Sequence, residues 1–310
     1  MHTLKQRLVL VLLCLATPMT GALAHGGHVH AEKAPGWTWD PWITGPLLIA
    51  ALVFTAGWTR LYARSAGGAG VLRRRGIMFA TGWLTLAGAL VSPLHEAGER
   101  SFTVHMVEHE LLMLVAAPLL VLAEPLAVML WAFPAKARMA LGRTASRAPV
   151  RSGWRWATGP VTATLLQAAA LWLWHMPMLF DRALASEGWH AAQHLSFVIT
   201  ALLFWTAMLG RQGSRASSQS RRALAALCLF ATSVVSGALG ALMAFSESPW
   251  YRGYALLGMA PFGLTPAEDQ QMAGLLMWIP GGLVHALAAL IVVRALLGRV
   301  PERRQVANVA

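Results

Sequence analysis

Residues 103–123 read TVHMVEHELLMLVAAPLLVLA, and this stretch indicates the fold class of the whole chain. Its first third carries His105, Glu108 and His109, whereas the rest of it, from Leu111 onward, has no charged residue. A bilayer core about 30 Å thick requires about 20 apolar residues in a helix. The stretch therefore predicts a transmembrane helix with ionisable side chains near one end.

Six further stretches have a similar length and apolar character, which gives seven predicted spans. The other six are 42–62, 76–95, 157–180, 189–209, 222–246 and 272–297. The composition agrees, because 56% of the 310 residues are hydrophobic and only 12% are charged, whereas soluble domains average about a quarter charged residues. The predicted fold class is an all-α polytopic membrane protein with seven transmembrane helices.

Two local features refine the predicted spans. The third span is expected to end near Ala123, because Glu124 and Pro125 are typical of a new helix start. Residues 125–133 would then form a short interfacial helix. The fourth span contains Pro177, which removes a backbone donor and predicts a kink beside His175.

The net charge of +12 is not spread evenly along the chain. Most Lys and Arg residues lie in four clusters at 60–75, 136–155, 211–222 and 294–304, each of which follows an odd-numbered predicted span. Cytoplasmic loops of membrane proteins are enriched in Lys and Arg. The pattern predicts an N-terminus outside and a C-terminus in the cytoplasm, in the bacterial cytoplasmic (inner) membrane, and it argues against nucleic-acid binding.

The first 24 residues have the features of a secretory signal peptide. Lys5 and Arg7 precede a short apolar core, and residues 22–24 (ALA) form a small-x-small cleavage signal. An uncleaved first helix is the alternative, although its apolar core is short for a span. The predicted organisation is a signal peptide at 1–24, a His-containing periplasmic leader at 25–40, the seven-helix domain at 41–298 and a basic cytoplasmic tail at 299–310.

The leader is a candidate copper site. Cleavage after Ala24 would make His25 the N-terminal residue, followed closely by His28 and His30. A free α-amine and imidazole nitrogens form a nitrogen-rich set that suits Cu(II). Such a segment could collect metal for the membrane domain; the alternative is a short leader whose histidines bind nothing.

Six histidines fall at a similar predicted depth, near the outer ends of four consecutive spans. Two pairs among them have i,i+4 spacing, which puts both rings on one face of a helix. Ionisable groups inside a span usually face a cavity or a partner, and a metal takes neutral imidazole as a ligand. The predicted metal ligands are His105, His109, His175, His190 and His194. His95 is assigned as a supporting neighbour or a packing residue.

Other side chains refine the predicted site. Glu108 is expected either to orient a histidine ring through a hydrogen bond or to be an interfacial acid. Met106, Met113 and Met277 are candidate soft ligands, with packing as the alternative. Cys228 is the one cysteine expected in the mature chain, so His with Met favours copper over zinc. Haem held by histidines is the main alternative cofactor.

Four stretches resemble the CtaG-type cytochrome c oxidase assembly factors, the multispan proteins first associated with caa-type oxidase. They are 105–113 (HMVEHELLM), 171–177 (LWLWHMP), 189–197 (WHAAQHLSF) and 269–278 (DQQMAGLLMW), in this order along the chain. The resemblance extends over about residues 40–300. The last stretch adds Asp269, Gln270, Gly274 and Trp278 as motif residues without an assigned role.

The resemblance implies a non-enzymatic assembly factor that binds copper near the periplasmic face and assists its insertion into a terminal oxidase. Terminal oxidase subunits, the lipid bilayer and a periplasmic copper donor are the expected partners. Two other functions stay open: a copper transporter across the inner membrane and a haem-binding membrane redox protein. A transporter would need polar steps toward the cytoplasm, for which Gln167 and His285 are the obvious candidates.

Overall fold

The computed structural model describes residues 35–65, 67–210 and 215–297. The predicted signal peptide, the histidines of the leader and the basic tail lie outside these residues. Within them the fold is helical throughout and contains no β-strand, which confirms the all-α class.

The helices of the described residues are numbered α1 to α13 in chain order. The first seven are α1 (Pro41–Tyr62), α2 (Ala69–Val91), α3 (Pro93–Gly98), α4 (Phe102–Ala123), α5 (Pro125–Met129), α6 (Ala135–Ser146) and α7 (Ala148–Ala157). The others are α8 (Pro160–Trp174), α9 (Pro177–Ala185), α10 (Glu187–Leu209), α11 (Arg215–Ala244), α12 (Arg252–Leu257) and α13 (Pro266–Leu297).

Five of the described helices are long and apolar enough to cross a membrane, namely α1, α4, α10, α11 and α13. The bent pair of α8 and α9 gives a sixth if it forms one span. The chain is therefore a multi-pass membrane protein. Helix α2 covers most of the predicted second span but is not among these helices, and Arg73, Arg74 and Arg75 lie in its first two turns. Seven spans and their orientation accordingly stay predictions.

The end of α4 lies where the sequence indicated. The helix ends at Ala123, and α5 begins at Pro125 after a single residue, Glu124, in the left-handed region with φ of 48°. Its carboxylate pairs with Arg75 near the start of α2. This ion pair holds the first turns of α2 against the end of α4.

The predicted fourth span is broken rather than kinked. Helix α8 ends at Trp174, α9 begins at Pro177, and the two axes differ by 73°. His175 occupies the C-cap of α8, where the chain changes direction. Tyr251 Oη donates to the carbonyl oxygen of His175 at 3.1 Å. The break therefore places His175 at a fixed corner instead of within a continuous helix.

The middle of α4 is a π-helical segment, Leu111–Ala116. Such segments are rare and often lie at functional sites. The indole Nε1 of Trp205 in α10 donates to the carbonyl oxygen of Met113 at 2.8 Å. A side chain from the neighbouring helix thus contacts the backbone of α4 one turn after its two histidines.

Helices α11 and α13 make the most extensive helix pair in the described residues. Gly240 and Gly274 face each other, and a methyl group at Gly274 would lie 2.5 Å from the carbonyl oxygen of Gly240. Small residues at such crossings allow close backbone approach. The pair forms a stable support for the N-terminal end of α13.

Basic side chains from separate clusters meet at one end of the bundle. The guanidinium groups of Arg64 and Arg138 lie 5.8 and 3.9 Å from the ring centre of Trp131. The Arg75–Glu124 pair lies at the same end of α4, whereas the histidines lie at its beginning. Helix α4 therefore joins a basic end and a histidine-rich end.

Candidate metal centre

The start of α4 is held by a side chain from α13. The buried carboxylate of Asp269 accepts hydrogen bonds from Ser101 Oγ (2.8 Å), Phe102 N (2.6 Å) and Thr103 N (3.2 Å). An anionic side chain at a helix N-terminus satisfies free N–H groups and interacts favourably with the helix dipole. The cap fixes where α4 begins and hence the level of the two histidines that follow.

Both i,i+4 histidine pairs face the interior of the bundle. The ring centres of His105 and His109 on α4 are 4.3 Å apart, and those of His190 and His194 on α10 are 4.4 Å apart. The pairs meet across the helix interface, since His105 stacks on His190 at 5.3 Å and His109 contacts His194 at 5.0 Å. The structure therefore brings these four predicted ligands together.

Three of these side chains form a compact set that we call the histidine triad: His105, His109 and His194. One ring nitrogen from each lies within 4.8 Å of the others. All three are buried, with exposed fractions of 1%, 1% and 6%. Nitrogens around one ion lie about 3 to 4 Å apart when each metal–nitrogen bond is about 2 Å, so small ring rotations would close the triad on an ion.

The ring nitrogens of the triad lack protein partners. Both nitrogens of His105 and of His109, and Nε2 of His194, are buried without a hydrogen bond. A buried polar atom without a partner costs about 1–3 kcal/mol. A metal bound by these three rings would stabilise the site, because it would give the unpaired nitrogens a partner.

A second possible ligand group adjoins the triad. It consists of His95, Glu108 and His194, with ligand atoms again within 4.8 Å of one another. Glu108 is fully buried; its Oε1 lies 2.9 Å from Nδ1 of His95 and 3.6 Å from Nδ1 of His194. Contact through Nδ1 leaves Nε2 of His194 for the triad, which is how a carboxylate orients a metal-binding imidazole.

The position of His95 differs from the sequence interpretation. Helix α2 ends at Val91, and His95 lies on the separate short helix α3, which begins after Ser92. Pro93 at the first position of α3 ends the preceding helix because it lacks a backbone N–H. The turn carries His95 back over the site, where its ring stacks on His190 at 5.2 Å.

His175 lies beside the triad without joining it. Its Nδ1 lies 2.7 Å from the carbonyl oxygen of Leu171, and its Nε2 is buried without a partner. Its ring contacts Phe180 and Phe197, which in turn contact His105 and His109 respectively. The structure groups no ligand nitrogen of His175 with two others within 4.8 Å among the described residues.

The candidate soft ligands are dispersed. Met106 is 1% exposed and belongs to the main hydrophobic core. Met113 and Met277 line a separate buried cavity together with Glu110 and His285. The histidines of the predicted N-terminal copper site, His25, His28 and His30, lie outside the described residues.

The motif at 269–278 has structural roles that the sequence did not assign. Besides the Asp269 cap, Gln270 accepts a hydrogen bond from Trp250 N at 2.6 Å and donates to Ser248 O at 3.3 Å. Gly274 provides the close crossing with α11, and Trp278 packs over Gly237 and Gly240 of that helix.

The sequence analysis missed Gln193, which lies beside His194. Gln193 is fully buried, and its side-chain amide has no protein partner. Its position between His190 and His194 in the sequence could have identified it as a residue near the site.

The family model described as cytochrome c oxidase caa3 assembly factor (Caa3_CtaG) matches residues 52–299. The chain belongs to this family. The matched region contains every histidine of the site and the Asp269 cap, so the resemblance found in four short stretches is confirmed over most of the chain.

Two curated relatives of this chain are uncharacterized proteins of Mycobacterium bovis and Mycobacterium tuberculosis. Each is 27% identical over 192 residues. The match covers 56% of this chain and 26% of each relative, so the chain spans about a quarter of the relatives' length. No solved structure matches the chain.

Proposed function

We propose that this protein binds copper at the histidine triad and passes it to a terminal oxidase during assembly of that enzyme. Copper is the cargo in this proposal, and no bond of a substrate is made or broken by the protein. The single observation that carries it is the set of three buried imidazoles, His105, His109 and His194, whose facing nitrogens have no protein partner.

The chemistry of the side chains favours copper among metals that bind imidazole. A trigonal set of neutral imidazoles suits Cu(I), and imidazole also accepts Cu(II). Among the described residues the cysteine is Cys228 on α11, and neither ligand group found there includes it. Glu108 adds one negative charge that would offset the charge of the ion in a buried site.

A haem is the alternative, and the packing of the rings argues for a small ion instead. The five rings of His95, His105, His109, His190 and His194 contact one another with centres 4.3 to 6.0 Å apart. A porphyrin between two of them would have to separate rings that pack directly. A small ion needs only the rotation of rings already in place.

The membrane arrangement that fits this function has seven spans, with the histidine-rich end at the periplasmic face of the inner membrane. The basic residues at the other end of α4 would then face the cytoplasm. A donor site within the outer leaflet could exchange copper sideways with an oxidase subunit without exposing it to water. Delivery would occur by replacement of the protein's imidazoles with those of the acceptor.

Metal analysis of the purified protein tests the proposal. We expect the His109→Ala/His194→Ala double variant to lose about one copper ion per chain relative to wild type. Oxidase activity in cells carrying this variant should fall with the copper content. Met208→Ala is the matched control, because Met208 is buried on the same helix 14 residues from His194, which is about 21 Å along the axis.

The same preparation separates the alternatives. Wild-type protein should show no haem absorption band, and vesicles containing it should not accumulate copper. A haem band that disappears in the double variant would show that the histidines bind haem, and the copper proposal would then be wrong. Copper accumulation in vesicles would show that the protein transports copper across the membrane, and the delivery proposal would then be wrong. Equal copper content in wild type, double variant and Met208→Ala would contradict the triad as the binding site.

A further inference from the structure

A second polar site lies in the bundle core, next to the histidine triad but separate from it. It is a small cavity of about 30 Å³, lined by residues of α4, α8, α11 and α13. Its lining includes Glu110, Met113, Gln167, Met277 and His285. A volume of this size holds about one water molecule or one ion. We call it the methionine cavity.

The cavity begins one helical turn after the triad. Met113 follows His109 by four residues, which corresponds to about 6 Å along a helix. The π-helical segment Leu111–Ala116 widens this turn and keeps Met113 directed into the core, where it is 5% exposed. The two sites are thus neighbours along the inward face of α4.

Polar atoms that face the cavity lack protein partners. Oε2 of Glu110 and Oε1 of Gln167 are buried without a hydrogen bond, and Gln167 is 8% exposed. The other end of the Gln167 amide donates to Sδ of Met113 at 3.3 Å. Unsatisfied oxygens beside two thioethers indicate a missing cationic or polar occupant.

Gly281 makes room for the carboxylate in this cavity. A methyl group at Gly281 would lie 3.3 Å from Oε2 of Glu110, so a larger side chain would press on the carboxylate. The carbonyl oxygen of Gly281 lies 2.7 Å from Nδ1 of His285. If Nδ1 donates this hydrogen bond, Nε2 of His285 carries the lone pair that can bind a metal. The imidazole ring also stacks on the indole of Trp205.

These donors match one class of ion. Thioether sulfur binds Cu(I) in preference to hard cations, and imidazole is compatible with it. The Glu110 carboxylate would balance the single positive charge in a low-dielectric environment. We infer that the methionine cavity is a second binding site, specific for Cu(I), with Met113, Met277 and His285 as ligands and Glu110 as the counter-charge.

The inference rests on the proposed function in one respect, because copper is taken as the cargo. It adds that the protein holds copper at two adjacent positions: the nitrogen-only triad near the beginning of α4, and the sulfur-containing site one turn inward. The inner site would retain the metal only as Cu(I), since thioether ligands bind Cu(II) weakly.

Anaerobic titration of the purified full chain with Cu(I), against a competing chelator, tests the second site. Wild type should bind about one Cu(I) per chain more than Met113→Leu/Met277→Leu does. Leucine preserves the volume of methionine, so the fold should tolerate the change. Met208→Leu, a buried methionine outside both sites, should bind as wild type does. X-ray absorption of copper-loaded wild type should show sulfur as well as nitrogen neighbours.

The outcomes of the two proposals can be told apart. If the methionine variant binds as much Cu(I) as wild type, or if copper-loaded wild type shows no sulfur neighbour, the inner site is refuted and the triad is unaffected. If His109→Ala/His194→Ala leaves the stoichiometry unchanged while the methionine variant loses one ion, the triad proposal fails instead. The absorption measurement on wild type does not depend on the folding of any variant.

Discussion

Asp269 caps the N-terminus of α4, the helix that carries His105 and His109, from a distant part of the chain. It lies 168 residues after Ser101, yet its carboxylate accepts three hydrogen bonds at the first turn of α4. The carboxylate is buried, and the N–H groups that it satisfies would otherwise be unpaired. The position of His105, one turn later, therefore depends on a side chain of α13.

We expect Asp269→Asn to lower the free energy of unfolding by about 1–3 kcal/mol, because it removes charge-assisted hydrogen bonds at a buried helix start. Copper bound at the triad should fall as well, since the first turn of α4 loses its anchor. Thermal unfolding in detergent and metal analysis would measure both effects. Glu268→Gln is the control: Glu268 is exposed, and its carboxylate accepts hydrogen bonds from Thr265 N and Oγ1, which a glutamine amide oxygen can also accept. Unchanged stability in Asp269→Asn would contradict the capping role.

Glu108 acts on the site through the rings that it contacts. Its Oε1 lies close to Nδ1 of both His95 and His194, which fixes the orientation of the two imidazoles. Removal of the charge should weaken copper binding without removing a triad nitrogen.

We expect Glu108→Gln to weaken copper binding about 10–100-fold, the range found when an outer-shell carboxylate beside metal ligands is changed. The substitution removes the negative charge 3.6 Å from Nδ1 of His194 and weakens the hydrogen bond to His95. Competition with a copper chelator would measure the change. Glu187→Gln, at the exposed start of α10, should bind copper as wild type does. Equal affinity in Glu108→Gln and wild type would leave Glu108 as a packing residue.

At the scale of elements, the crossing of α11 and α13 depends on two glycines. A methyl group at Gly274 would lie 2.5 Å from Gly240 O and 2.6 Å from Ala244 N, both of which are backbone atoms that cannot move aside. The crossing supports the end of α13 that carries the Asp269 cap. A change in the packing of α11 against α13 would therefore move Asp269 and, with it, the start of the helix that carries His105 and His109.

Gly274→Val should destabilise the protein by about 1–3 kcal/mol, because the added side chain forces the two helices apart. Gly282→Ala, on the same helix, should have little effect, since the nearest atom to the added methyl group would be Ser233 Oγ of α11 at 3.7 Å. Thermal unfolding of both variants provides the measurement. A Gly274→Val variant as stable as wild type would show that the crossing can widen freely.

At the scale of the whole molecule, the two ends of the bundle differ in chemistry. The histidines, Glu108 and the Asp269 cap lie at the beginning of α4, whereas Arg75 and Glu124 meet at its end. The distribution of Lys and Arg in the loops predicts that the second end faces the cytoplasm.

A reporter that is active only in the cytoplasm should be active when fused after Arg304, and a reporter that is active only in the periplasm should be inactive there. The reason is that four Lys and Arg clusters lie in alternate loops, which a positive-inside arrangement would place on one side. A pair of fusions after Arg147 and after Glu187 should report opposite sides. Periplasmic activity after Arg304 would overturn the orientation and the proposed outer position of the triad.

The family and the helical class were predictable from the sequence because both depend on local patterns. Apolar runs of about 20 residues indicate helices in lipid, and i,i+4 spacing places two rings on one face whatever the tertiary fold. The end of α4 at Ala123 was predicted from Glu124 and Pro125 as a helix start. Pro177 predicted a kink, whereas the structure has a break of 73° between two helices. In contrast, α2 fell outside the set of candidate spans because its arginines extend into the first turns.

The composition of the triad was decided by tertiary structure. The sequence predicted that the i,i+4 pairs His105/His109 and His190/His194 converge with His175 close by. Packing of α4 against α10 brings one ring nitrogen each of His105, His109 and His194 within 4.8 Å and leaves His175 at the helix break. The same packing directs Met113 and Met277 to a different cavity. Which faces of two helices meet depends on contacts between residues far apart in the chain, such as the Asp269 cap and the Gly240–Gly274 crossing. Those contacts leave no periodic signal in a single sequence. The sequence therefore determined which residues could form the site, and the tertiary structure determined which of them lie close enough together to share one ion.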